Sequence, residues 1–214
     1  MSVNNPINSI EPGNHSKVES LVIPSRFSFF RQPVTNTFPQ REVSVLEIYE
    51  LVKGDSYRIE TETLRAMLNK EEANVYKKNH FPYVTFSGTF TSRRAEAIIQ
   101  HSGLLAIDFD HVTGIDEHKR ALLNDRFFMT HLLFVSPSGD GIKWIVSIDT
   151  VKASHLDWFL SIANYIRFTY NMEVDANCKD VCRACFLCHD AEVYIHPNYL
   201  NSLQPFNSNS HENN

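Results

Sequence analysis

The chain has no apolar run approaching the roughly 18 residues that a membrane-spanning helix requires, and the segment after Met1 lacks the basic-then-apolar order of a secretory leader. A cytoplasmic location with no membrane partner is therefore expected. Excess positive charge is missing as well: 20 Lys and Arg stand against 25 Asp and Glu, a net −5 with the ten His neutral. That balance excludes a protein that coats nucleic acid through its overall field, so any phosphate contact has to come from a local basic patch. Cysteine is scarce and confined, all four residues lying between Cys178 and Cys188. Such confinement argues against disulfides joining distant segments and for a reducing compartment. No internal repeat is present. Apolar residues, by contrast, make up 43% of 214 positions and aromatics 12%, enough to bury the core of one domain.

Residues 1–17 and 201–214 are rich in Asn, Ser and other small or polar residues and read as disordered tails around a folded domain over 18–200. From Glu19 to Arg31 the segment is β-prone but interrupted by Pro24, which points to an edge strand or an extended arm. Three helices are expected between Val43 and Lys78. Val45, Leu46, Ile48, Tyr49 and Val52 recur at helical spacing, and Thr61 precedes ETLRAML as a cap. This is an α-rich lobe over 18–80. From Phe81 the rhythm changes: FPYVTFSGTF alternates as a strand, SRRAEAIIQHSG reads as a helix stopped at Gly103, and LLAIDFDHV is again a strand. A helix from Asp116 to Asn124 follows, then strands His131 to Ser136 and Ile142 to Ile148, a helix from His155 to Tyr170, and closing strands in VCRACFLC and AEVYI. The expected fold class is α+β, with a mixed sheet carrying helices on one face.

Asp108 and Asp110 flank Phe109 in a hydrophobic strand, where a period of two puts both carboxylates on one face. Such a pair either shares Mg²⁺ or Mn²⁺ or sits hydrated at a strand end. Further on, Ser138-Gly139-Asp140-Gly141-Ile142-Lys143 joins two apolar strands. Its glycines let the backbone approach an anion closely and Lys143 supplies a compact cation, although the same residues make a serviceable hairpin turn. Arg183 either clamps a phosphate or pairs with Asp175 or Asp180, and Arg93 and Arg94 either contact template phosphates or face solvent. Cys178, Cys182 and Cys185 have the spacing of an iron–sulfur or zinc ligand run, with Cys188 and His189 close behind. Strand alternation would send Cys182 and Cys188 to one face and Cys185 to the other, which favours inert, partly buried thiols. Tyr83, Phe86 and Phe90 either stack on bases or fill a core.

Taken together, the motifs resemble the archaeo-eukaryotic primase-polymerase superfamily, and within it the primase-like domain found beside VirE-type or helicase regions of bacterial mobile elements. The resemblance runs from about Phe81 to Pro197. It rests on Leu104 to Asp110 as a strand ending in D-x-D, on Ser138 to Lys143 as an S-G-x-G-x-H motif with Lys in place of His, and on Asp190 as a lone Asp after a hydrophobic strand. It implies an RRM-like catalytic lobe over 81–200 and template-dependent nucleotidyl transfer in replication of a mobile element. Asp108, Asp110 and Asp190 would be the catalytic and metal-binding carboxylates, for Mg²⁺ or Mn²⁺. Ser138, Gly139, Gly141, Lys143 and Arg183 would bind the nucleoside triphosphate, with single-stranded DNA as template and a helicase or relaxase as partner. A non-catalytic nucleotide-binding or nucleic-acid-binding module that recruits such a partner is the alternative, and a cysteine-ligated metal protein the remote one.

Overall fold

The computed structural model describes residues 25–201. Of the expected tails over 1–17 and 201–214, all but Asn201, which ends a helix, lie outside the described residues, as does the start of the β-prone segment through Pro24. Among the described residues ten strands and six helices make an α+β fold, and every strand pairing is antiparallel.

Strand β1 (Phe27–Phe30) lies between β2 (Arg41–Val43) and β3 (Tyr83–Thr85), and β9 (Cys185–Phe186) completes a four-stranded sheet in the order β2-β1-β3-β9. The segment after Pro24 is therefore an interior strand, which fits the complete burial of Phe27 and Phe30. Strands on both sides of residue 80 pair in this sheet, so the two expected lobes are joined by backbone hydrogen bonds. Helix α1 (Val45–Lys53) starts in a capping box: the Glu47 amide donates to the Ser44 hydroxyl while the Ser44 amide donates to the Glu47 carboxylate. It buries Val45, Ile48, Tyr49 and Val52, four of the five residues whose spacing predicts the helix.

Helices α2 (Arg58–Ala66) and α3 (Lys70–His80) follow. Thr61 does not cap α2, because the helix begins three residues earlier. Instead it is buried inside α2, where its hydroxyl donates to the Tyr57 carbonyl at 2.6 Å and accepts from the His189 amide at 2.9 Å.

The single strand expected over FPYVTFSGTF is broken by a turn at Phe86 and Ser87 into β3 and β4 (Gly88–Phe90). The helix expected over SRRAEAIIQHSG is β5 (Ile98–His101), preceded by one short turn of 3₁₀ helix. β-Branched Ile98 and Ile99 suit an extended chain, and β5 hydrogen-bonds β4 through a glycine that a Cβ would bring within 2.1 Å of the Gln100 carbonyl.

The second four-stranded sheet has the order β10-β7-β8-β6, from β6 (Leu104–Phe109), β7 (Thr130–Val135), β8 (Ile142–Ser147) and β10 (Tyr194–Ile195). Because β6 and β7 each run antiparallel to the β8 between them, they are parallel to one another and linked by α4 (Ile115–Leu123) in a split βαβ arrangement. The expected mixed sheet thus has no directly bonded parallel pair. Its helices are not confined to one face either. Leu105, Ile107, Phe109, Trp144 and Val146 pack against α4 and α5 (His155–Tyr170), whereas Leu104, Leu132, Phe134 and Ile145 join a core with α1 and the first sheet. Alternation along strands buried on both sides produces these two apolar sets. Of VCRACFLC only Cys185 and Phe186 are strand, and AEVYI contributes only Tyr194 and Ile195. Helix α6 (Pro197–Asn201) closes the described chain.

Candidate functional site

Where β6 and β8 end, the face that carries Leu104, Ala106 and Ile145 turns from apolar to charged. Asp108 is directly opposite Lys143 in the β6–β8 register, on this face. Its Oδ2 lies 2.6 Å from the Lys143 Nζ, with only 2% of the Asp108 side chain exposed. Arg183, just before β9, brings its Nη2 to 3.8 Å from the same oxygen and to 2.5 Å from Asp175. The result is an alternation of charges, Lys143, Asp108, Arg183, Asp175, buried at its first two members and partly exposed at the other two. Each ion has an opposite neighbour, which is what makes the burial of Lys143 and Asp108 tolerable.

The other oxygen of Asp108, Oδ1, is buried with no hydrogen-bond partner. Carboxylate oxygens of Asp108 and Asp175 and the Sγ of Cys178 come within 4.8 Å of one another, which is compatible with one cation. Burial, followed by the nearby Asp108 charge, pushes the Cys178 thiol far up, so it is a neutral thiol beside two carboxylate donors. The donor set is thus two carboxylates, suited to a hard, oxygen-seeking ion.

Asp190 does not join this cluster. Its Oδ2 accepts from the Val135 amide at 2.7 Å and its Oδ1 from the Glu192 amide at 2.9 Å, with Lys119 at 4.0 Å. Val135 is in β7, which β8 separates from β6, so Asp190 is anchored to a strand that does not neighbour β6. It terminates a strand edge and ties down the turn after Cys188. Asp175, read from sequence only as an ion-pair partner of Arg183, takes the place beside Asp108 that was expected for Asp190.

Above the charged row lies a cleft of about 430 Å³ between α2–α3 and the β7–β8 hairpin. Asp110, Ser138, Asp140 and Lys143 line one side; Arg65, Lys70 and Lys77 line the other, with Leu64, Met67 and Phe186 as its apolar part. Lys77 is half-buried, and its ammonium has no hydrogen bond or ion pair among the described residues. Burial first, and then the Lys143 and Arg183 charges, lower its pKa against the opposing pull of Asp110 and Asp140. An unpartnered ammonium that lines a cleft together with a second lysine suits contact with an anion.

The hairpin loop is held in place rather than merely turning. Arg65 donates from Nε to the Pro137 carbonyl at 3.2 Å and from Nη2 to the Ser136 carbonyl at 3.1 Å. Asp140 accepts from the Val112 amide through its carbonyl and meets His111 through its carboxylate, both at 2.7 Å. Gly139 has φ +83°, and at Gly141 a Cβ would fall 2.4 Å from the Phe109 carbonyl oxygen. Both glycines are thus required by the fold whatever they do for a ligand. Gly141→Ala should lower unfolding free energy by about 2 kcal/mol through that clash, read as a shift in the urea midpoint; an unchanged midpoint would mean that strand β6 yields freely.

The cysteines do not converge. Among the described residues no cluster of three or more metal-type side chains contains more than one of them, and all four thiols are free. Burial pushes Cys182 up to about 11 and Cys188 up to about 12, so both stay protonated at neutral pH. Tyr83, Phe86 and Phe90 are buried in the interior, Tyr83 stacked on Phe30, so the base-stacking role is replaced by packing. Arg94 faces solvent beside Glu96 at 3.7 Å, whereas Arg93 lies over the Tyr83 ring.

Among comparisons with known proteins, a family model described as BT4734-like, N-terminal domain, matches residues 76–195, more than half of the chain. No curated protein and no solved structure matches.

Proposed function

Starting from the chain's membership of the BT4734-like N-terminal domain family, and from the resemblance carried by its motifs, we propose that it binds a nucleoside triphosphate in the α3–hairpin cleft and, directed by a single-stranded DNA template, transfers the nucleotide to the 3′-hydroxyl of the strand being made, with pyrophosphate as the leaving group. The observation that carries this reading is Lys77, a half-buried ammonium without a partner that lines the same cleft as Lys143 and Asp110. Lys77, Lys143 and Lys70 hold the phosphates, Arg65 keeps the hairpin loop at the cleft wall, and the Phe186 and Met67 side receives the apolar base. Asp108 and Asp175, with Asp110 at the cleft wall, would hold Mg²⁺ or Mn²⁺. Bound there, the ion supplies Lewis-acid stabilisation of phosphoryl charge. The chain's own part is to orient the phosphates and to hold Asp108 against Lys143 and Asp175 against Arg183. The RRM-like lobe and the association with a mobile-element helicase or relaxase belong to the same proposal.

Lys77→Gln is expected to weaken nucleotide binding about ten- to a hundredfold, the value of one charge-assisted contact, with little change in unfolding midpoint because no protein contact is lost. Titration calorimetry with a nucleoside triphosphate and Mn²⁺ reads this, and equal affinity in the variant would remove Lys77 from the site. One observation favours a second reading: the 2.6 Å contact of Lys143 with Asp108 already neutralises the carboxylate on which catalysis would depend. A non-catalytic nucleotide-binding module is the consequence. Purified protein that binds nucleotide but incorporates none on a primed template, with either ion, would decide for it.

A further inference from the structure

A second recess, of about 350 Å³, opens beside Arg183 and is lined by Arg93, Asn177, Lys179 and Asp180 but by none of the lysines of the first cleft. Its charge is unbalanced. Arg93 donates from Nη2 to the Val34 carbonyl at 3.2 Å and lies 5.0 Å from the centre of the Tyr83 ring, but it meets no carboxylate among the described residues. Lys179 is exposed and likewise has no ion pair. The Nε atoms of both Arg93 and Arg183 are buried without hydrogen-bond partners. Asp180 is the one carboxylate in the lining, and its Oδ1 already accepts from the Cys182 amide and thiol. Asp175, against the opposite end of Arg183, is shared with the charged row. With Arg183 already met by Asp175 and Asp108 in the charged row, Arg93 and Lys179 stand against Asp180 alone and leave the recess with an excess cation, in a chain whose net charge is −5.

We propose that this recess binds a phosphodiester of a single-stranded nucleic acid. Tyr83 beneath Arg93 fixes the plane of the guanidinium, as bidentate phosphate recognition requires. Arg183 borders this recess, Lys143 borders the nucleotide cleft, and Asp108 lies between these two cations, so the two anion sites flank the charged row. A polymer is the occupant that fits this placement, because a strand anchored by a phosphate on one side of the carboxylates can present its terminal hydroxyl to a nucleotide on the other. In that respect the inference rests on the proposed nucleotide cleft, although the recess and its charges do not.

The test uses the full chain, a short fluorescein-labelled single-stranded oligonucleotide read by anisotropy over a range of salt, and the variants Lys179→Glu and Arg93→Gln. Each is expected to weaken oligonucleotide binding about tenfold and to lower the slope of log affinity against log salt by about 0.7, the share of one phosphate on a single strand. Affinity for the nucleoside triphosphate with Mn²⁺ should be unchanged in Lys179→Glu. Arg93→Gln loses the contact with Tyr83 and is judged only if its unfolding midpoint holds; Lys179 is exposed, so its variant carries the test in either case. Unchanged oligonucleotide affinity in Lys179→Glu overturns the proposal. So does an equal loss of nucleotide affinity, which would assign the recess to the nucleotide's own phosphates, or displacement of the oligonucleotide by inorganic phosphate at matched ionic strength. If Lys77→Gln leaves nucleotide binding intact while Lys179→Glu weakens oligonucleotide binding, the cleft reading fails and the recess stands.

Discussion

Asp108→Asn is expected to cost the fold about 3–5 kcal/mol at neutral pH, because it leaves the Lys143 ammonium buried opposite a neutral amide. Sequence alone points the other way. Adjacent carboxylates with no cation in view suggest that Asp108→Asn together with Asp110→Asn relieves repulsion and leaves the midpoint near or above wild type. The structure reverses that expectation by placing Lys143 at 2.6 Å and Arg183 at 3.8 Å from Asp108. Burial by itself would lower the Lys143 pKa, but the charge and hydrogen bond of Asp108 more than offset it and hold it above the ordinary lysine value. A pair raised in this way contributes fully below the unfolded value of about 10.4 and is lost only as pH climbs through the folded one. Urea unfolding at neutral pH therefore reads the whole effect. Adding Lys143→Met to Asp108→Asn should restore most of the loss, since two apolar or neutral neighbours no longer bury a bare charge. If the two substitutions were instead simply additive, the ion pair would not be what stabilises this end of the sheet.

Acidification should remove a comparable amount through histidines far from the cleft. Burial, with a contribution from His155, lowers His101 to about 4, and burial, with a contribution from His196, lowers His131 to about 4. A histidine depressed in the folded state binds its proton first in the unfolded chain. Its stabilising share is therefore present above about 6.5 and drains away as pH falls toward the folded value. Each shift is worth roughly 3 kcal/mol over that interval. The cause is visible in the hydrogen bonds. The Gly103 amide donates to His101 Nδ1, leaving Nε2–H to reach His155 Nδ1 at 3.2 Å, and a second proton on this pair has no acceptor. His131 meets the Tyr199 hydroxyl at 2.6 Å through Nδ1, while its Nε2 is buried without a partner. Unfolding free energy measured in urea should fall steeply between about pH 6.5 and 4, and His131→Gln should flatten roughly half of that fall. A level profile across the interval would show that these rings accept protons without opening the fold.

Local periodicity made several elements legible. Helix α5 runs from His155 to Tyr170, as its spacing predicts, because Phe159, Ile162 and Ile166 recur on one face and Ser154 accepts from the Asp157 amide at its start. The strands around Asp108 and Lys143 were legible for the same reason. Pairing partners were not. Nothing in FSFF announces that it lies between residues 41–43 and 83–85, and Ile98-Ile99 between polar residues fits a short helix as well as a hairpin until Gly88 is seen against Gln100. The site divides similarly. The strand-end aspartates and the glycine-lysine turn carry local signals, and the turn places Lys143 opposite Asp108. Lys77 carries none, since a lysine in EEANVYKK reads as a solvated helix face. Asp190 and Asp175 compete for one role, and only three-dimensional placement shows which stands beside Asp108.

The first sheet has a consequence for the order in which the molecule assembles. Strand β1 ends at residue 30, yet the sheet that buries its phenylalanines is not complete until Cys185 and Phe186 pair with Tyr83 and Val84. The same core also takes in Leu187, Cys188, Val193 and Ile195. At about 5–20 residues per second, a ribosome needs roughly 8–30 s to make the chain between these partners. Throughout that time Phe27, Phe29 and the apolar face of α1 lack the side chains that close over them. Such long-range pairing makes folding a late event that waits on the carboxy-terminal third. A nascent chain stalled before residue 185 would present an open sheet edge to chaperones or to other chains.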